Sequence, residues 1–137
     1  MPKLAHVCIE AADLERTEKF YQVIGMTRQF EFRNKKSELV GMYLAFDDNT
    51  FIEVIKVKKP REEGAVRHFA IEVEDVDAMS AKLTAQDIAV TPKMLGSDKT
   101  LMVTTHDPNG IFVEFHQYTG DSMQQHGGVA IVDYEPV

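Results

Sequence analysis

Apolar and polar residues alternate along residues 4–11, the period of a half-buried strand. Asp13 follows in the position of a helix N-cap. Across residues 14–24, Leu14, Phe20, Tyr21 and Ile24 give one apolar face and Gly25 supplies a stop. Strand patterns return at 26–32, 39–46 and 51–57, with Asp47, Asp48 and Asn49 as the turn between the last two. Residues 58–64, which include Pro60 and Gly64 among charged residues, read as a link. The pattern then restarts. Residues 67–73 predict a strand, and Asp75 caps a helix reaching about Ala85 whose Met79 and Leu83 share a face. Residues 88–94 predict irregular chain or a short edge strand, because Pro92 cannot donate to a ladder. Strands at 101–105 and 111–116 are joined by Asp107, Pro108, Asn109 and Gly110, which have the chemistry of a tight turn.

Each half therefore reads as strand, helix and three strands. The expected fold is α+β: two tandem βαβββ modules, 1–59 and 65–117, forming one curved mixed sheet with helices outside, followed by a C-terminal extension, 118–137. The 137 residues fit one compact domain, or two small units sharing a core. In the extension, residues 129–134 could add a short strand or cover a neighbouring subunit.

Composition narrows the functional classes. A net charge of -7 leaves no dense basic surface for nucleic acid, and the cluster Lys56, Lys58, Lys59 and Arg61, followed by Glu62 and Glu63, reads as a solvated turn. The single cysteine, Cys8, excludes an internal disulfide framework and is expected to be a buried small hydrophobe. No apolar run approaches about 18 residues, so a soluble, cytoplasmic protein without membrane partners is expected. Neither a Walker A sequence nor GxGxxG is present, and no nucleotide cofactor is expected.

The candidate chemistry lies in the repeat itself. His6-Val7-Cys8-Ile9-Glu10 and His68-Phe69-Ala70-Ile71-Glu72 share a layout, and each histidine is followed seven positions later by aspartate. The segments Phe51-Ile52-Glu53-Val54 and Phe112-Val113-Glu114-Phe115 follow, with His-to-Glu separations of 47 and 46 residues. A carboxylate within an apolar strand needs a counter-charge, a hydrogen bond or a metal. Two imidazoles and two carboxylates, from His6, Glu53, His68 and Glu114, meet that need around one divalent ion (Ni, Co, Mn, Fe or Zn) with positions left for water or substrate. Glu10, Glu72 and His116 share the same strand faces and are candidate substrate contacts, whereas Tyr21 and Tyr43 read as packing residues.

The segments Leu4-Ala5-His6-Val7, Phe20-Tyr21-Gln22-Val23-Ile24-Gly25-Met26, Phe51-Ile52-Glu53-Val54, Arg67-His68-Phe69-Ala70-Ile71-Glu72-Val73 and Asp107-Pro108-Asn109-Gly110-Ile111-Phe112-Val113-Glu114-Phe115 resemble the vicinal oxygen chelate superfamily of glyoxalases, bleomycin resistance proteins and dioxygenases. The resemblance covers nearly all of residues 4–117. It implies a cup-shaped sheet, and often a homodimer in which ligands come from both chains. By position, His6, Glu53, His68 and Glu114 fall on all four metal ligands of glyoxalase I. Two positions depart from that pattern: Glu10 stands where bacterial relatives hold the glutathione carboxylate with arginine, and Val57 where they carry asparagine. A reversed charge at a carboxylate-binding position repels that thiol.

The expected function is that of a metal-dependent lyase or isomerase. It would act on a small α-hydroxycarbonyl-like substrate through an enediolate, with Glu53 or Glu114 as general base and no specificity for glutathione. One alternative is a non-haem Fe(II) dioxygenase using His6, His68 and Glu114. The other is a metal-free small-molecule binding or resistance protein.

Overall fold

The structure, a computed structural model, describes residues 4–62, 64–133 and 135–136. It divides into two compact units, one comprising Met1–Arg67 with His106–Ile111 and the other His68–Thr105 with Phe112–Val137.

In the first unit, β1 (His6–Ala11), α1 (Leu14–Val23), β2 (Thr27–Arg33), β3 (Leu39–Ala45) and β4 (Phe51–Lys56) follow in chain order. They build a four-stranded mixed sheet ordered β1-β4-β3-β2. The β1/β4 pair is parallel and the others antiparallel. The α1 helix forms where the pattern placed it. The Asp13 carboxylate accepts from the Arg16 amide at 3.0 Å, and Leu14, Thr17, Phe20 and Tyr21 fall on the buried face. Gly25, at φ +105°, ends the helix and lets the Met26 amide return to the Tyr21 carbonyl at 2.9 Å. Under α1 lie Ile9, Ala11, Met42, Leu44, Ile52 and Val54, all buried. Each large side chain among them contributes about 1.5–3 kcal/mol by leaving water. The alternation leaves His6, Cys8, Glu10 and Glu53 on the less covered face. Gly41 sits within β3 because a Cβ there would stand 2.5 Å from the Val54 carbonyl oxygen.

The second unit repeats the plan with β5 (Phe69–Glu72), α2 (Val76–Ala85), β6 (Met94–Leu95), β7 (Leu101–His106) and β8 (Phe112–Gln117), in the sheet order β5-β8-β7-β6. Asp75 caps α2 through the Asp77 and Ala78 amides, and the Gln117 side chain takes the Val76 amide. Val76, Met79 and Leu83 bury the helix face, and Ile71, Val103, Val113 and Phe115 bury the sheet face. The register confirms the duplication, since Cys8 lies beside Glu53 and Ala70 beside Glu114. Each histidine therefore sits two residues before its glutamate's neighbour.

The sequence pattern missed one element, the short α3 (Met123–His126). Residues 129–133 join no strand, and Tyr134, the last residue of that expected segment, lies outside the described residues. Residues 88–93 are irregular and the expected edge strand shrinks to two residues. No helix among the described residues is long and apolar enough to cross a membrane.

The turn at 107–110 belongs to the first unit. The Tyr21 hydroxyl donates to Asp107 Oδ2 at 2.9 Å, while Asp107 Oδ1 accepts the Asn109 and Ile111 amides. Asn109 donates to Thr17 Oγ1 and accepts the Ala12 amide. Tyr21 is therefore more than a packing residue, because its hydroxyl is part of a buried network that fixes α1 against this turn.

Candidate functional site

Each unit brings one histidine and one glutamate together on its sheet. In the first, His6 Nε2 stands 3.0 Å from Glu53 Oε2, with side chains 36% and 26% exposed. In the second, His68 Nε2 stands 3.0 Å from Glu114 Oε1, and the glutamate is only 12% exposed. Equal distances in two independently packed units follow from the shared register.

The surroundings of the two pairs differ. His6 Nδ1 meets the Tyr43 hydroxyl at 2.8 Å, and Tyr43 stacks on Phe30 with ring centroids 4.6 Å apart. In the second unit the support falls on the carboxylate, since His116 Nε2 lies 3.3 Å from Glu114 Oε2. Glu114 thus lies between two imidazoles. These three side chains, with Asp98, Thr100 and Met102, line a cavity of about 320 Å³.

The remaining candidates lie apart from the pairs. Glu10 holds the link between the halves, accepting the Arg61 amide at 3.0 Å and facing the Arg61 guanidinium at 3.3 Å. Glu72 is exposed on β5, beside His116 in the ladder. Cys8 is exposed rather than buried, a correction with a simple cause: α1 covers the Ile9 and Ala11 face of β1 instead. Partial burial of the thiol, then the negative charges of Glu53 and Glu10, raise the Cys8 pKa above its usual value, which favours the unreactive thiol.

The C-terminal segment shapes the cavity in a way the sequence did not suggest. Thr100 Oγ1, buried, bonds Ser122 Oγ and Gln124 Oε1, each at 2.8 Å. Gln124 Nε2 donates to Asp98 Oδ2 at 2.7 Å, and the Met123 amide donates to the Asp98 carbonyl at 2.9 Å. The tail is thus a clasp on the 96–100 turn that forms one cavity wall. Replacing Ser122 and Gln124 together by alanine removes bonds worth about 0.5–1.5 kcal/mol each. Amide exchange at residues 97–100 then rises by about tenfold or more while the β1–β4 sheet is unaffected. Unchanged exchange at those amides would show that the clasp does not hold the turn.

Among the described residues, no group of three or more His, Cys, Asp or Glu side chains is arranged to hold a metal ion. The donor chemistry of each pair nevertheless suits one. Two cis donors on an octahedral ion with bonds of about 2.1 Å stand about 3.0 Å apart, against about 3.4 Å on a tetrahedral one. Without an ion, each pair is a close imidazole–carboxylate contact at 3.0 Å.

Comparison with known proteins agrees with this architecture. Lactoylglutathione lyase of Haemophilus influenzae is 27% identical over 122 residues, covering 82% of this chain and 90% of that protein. A glyoxalase family protein from Enterococcus faecalis superposes with a TM-score of 0.72 at 23% identity, covering 84% of this chain and 97% of that one. A bleomycin-binding protein solved with bleomycin gives 0.67 at 15% identity, covering 87% and 100%. At these identities the structural likeness speaks to fold. Residues 5–102, more than half of the sequence, match the family model described as the glyoxalase/bleomycin resistance protein/dioxygenase superfamily, and the chain belongs to that superfamily.

Proposed function

We propose that this protein binds a small oxygenated molecule at its His–Glu pairs and, with a divalent metal, acts on it as a lyase or isomerase. The observation that carries the reading is the same 3.0 Å imidazole–carboxylate pair built twice. A cavity of about 320 Å³ beside the second pair has the scale of a small metabolite. No lysine or arginine is among its lining residues, so it favours neutral substrates over phosphorylated ones. Glu10, which contacts Arg61, puts a carboxylate where glyoxalase relatives hold the glutathione carboxylate with arginine, in keeping with a substrate other than a glutathione adduct.

His6 and Glu53 would hold an ion from one side, as would His68 and Glu114 from theirs; the ion would supply charge stabilisation to a carbonyl oxygen. Each pair gives two donors, so a four-donor shell takes two pairs, and in the family resembled such ligands often come from two copies of the chain. The protein's own chemistry is proton movement: Glu53 or Glu114 takes a proton from the carbon next to the carbonyl and returns it.

A second reading, metal-free binding of a small molecule, is favoured by the fold shared with a protein that binds bleomycin. Solvent-deuterium exchange into α-hydroxycarbonyl compounds, followed by proton NMR with Mn, Fe, Co, Ni or Zn and then with chelator, separates the two. Metal-dependent exchange at the α carbon supports the enzyme; binding without exchange under every metal supports the binding protein.

A further inference from the structure

The two His–Glu pairs match in distance but not in support, and the difference falls on Tyr43. Tyr43 lies opposite Glu53 in the β3/β4 ladder. Its ring stacks on Phe30, 4.6 Å away at 16°, and leans on Phe51 at 5.3 Å. Aromatic packing on both sides fixes the hydroxyl at little further cost in entropy. The hydroxyl meets His6 Nδ1 at 2.8 Å. Among the described residues the second unit has no such contact: the matching hairpin position is Thr104, whose hydroxyl faces Thr91 at 3.1 Å.

We infer that Tyr43 is the positioning residue for His6, orienting the imidazole so that its Nε2 faces Glu53 and can ligate a metal ion. The inference rests on the metal reading above. Without an ion, the Glu53 carboxylate 3.0 Å from Nε2 favours the tautomer with its proton there, which leaves Nδ1 as an acceptor to which the phenol donates. With Nε2 ligating, the proton sits on Nδ1 and the phenol must accept. A hydroxyl can do both by rotating its O–H, with no heavy atom displaced. A carboxylate or a carbonyl in its place would accept only, and a phenylalanine would do neither.

The test is Tyr43→Phe, which keeps the ring and its stacking. Three readouts apply: thermal unfolding, the His6 Nδ1 nitrogen shift in metal-free protein, and titration calorimetry with Mn, Fe, Co, Ni and Zn. The expected result is an unchanged fold, an Nδ1 resonance moved toward that of an unbonded acceptor, and metal affinity about 10–100-fold weaker. An unchanged Nδ1 resonance, or affinity within twofold of a wild type that does bind metal, would overturn the inference and leave the functional reading intact. A wild type that takes up none of these metals would overturn the functional reading, and the inference with it.

Discussion

Glu53→Gln and Glu114→Gln, combined in one chain, should lower turnover by about 10²–10⁴-fold, the contribution of a positioned general base. Glutamine keeps the length and one acceptor oxygen but can neither take a proton nor carry the charge that the adjacent imidazole faces at 3.0 Å. The single variants should be unequal. Glu114 is the more enclosed and bridges His68 and His116, so its loss frees two imidazoles and disturbs the cavity lining. Glu53 is more open, and its replacement leaves His6 held by Tyr43. Steady-state kinetics on a substrate identified by α-proton exchange provides the measurement. If the double variant keeps full turnover, neither carboxylate moves the proton.

Asp107→Ala should be the most destabilising of the substitutions considered. It deprives the buried Tyr21 hydroxyl of its acceptor and strips two amides of the 107–110 turn. A buried polar group left unpaired costs about 1–3 kcal/mol, and with the turn bonds the total is about 3 kcal/mol, or about 10–15 °C in Tm. Tyr21→Phe is milder, removing the donor but keeping the ring against Phe20. The two differ from wild type in pH dependence as well. Burial first, then the neighbouring Asp107 charge and hydrogen bond, raise the Tyr21 pKa well above 10.0. A phenol with a raised folded pKa contributes stability that is fully present below the unfolded value of 10.0 and is lost as pH rises from there toward the folded pKa. Denaturant titrations from pH 8 to 11 should therefore show wild-type stability falling above about pH 10 more steeply than that of Tyr21→Phe. Parallel profiles would mean that Tyr21 titrates alike in both states.

Local chemistry made the two modules legible. Asp13 and Asp75 announce helix starts, Gly25 a stop, and the Asp107-Pro108-Asn109-Gly110 run a turn. The spacing of His6 to Glu53 and His68 to Glu114 anticipated which side chains would meet in each unit. Alternation along β1 separates two faces but does not say which one a helix will cover, and Cys8 was assigned to the wrong one. The four-residue α3 has no hydrophobic period to reveal it, and its hold on the 96–100 turn joins residues more than twenty apart. Tyr43 could have been found: pairing β3 with β4 across the 46–50 turn places it opposite Glu53. Its bond to His6 depends on a third strand, which pair-by-pair register does not specify.

The central claim is that the His–Glu pairs bind metal, and calorimetric titration with Mn, Fe, Co, Ni and Zn, run beside elemental analysis, tests it most directly. Wild-type protein should take up a divalent ion in fixed stoichiometry, and His6→Ala and His68→Ala should each lose that uptake while remaining folded. No uptake of any of these metals, with Fe(II) loaded anaerobically, would contradict the claim and leave the pairs as walls of a small-molecule binding site.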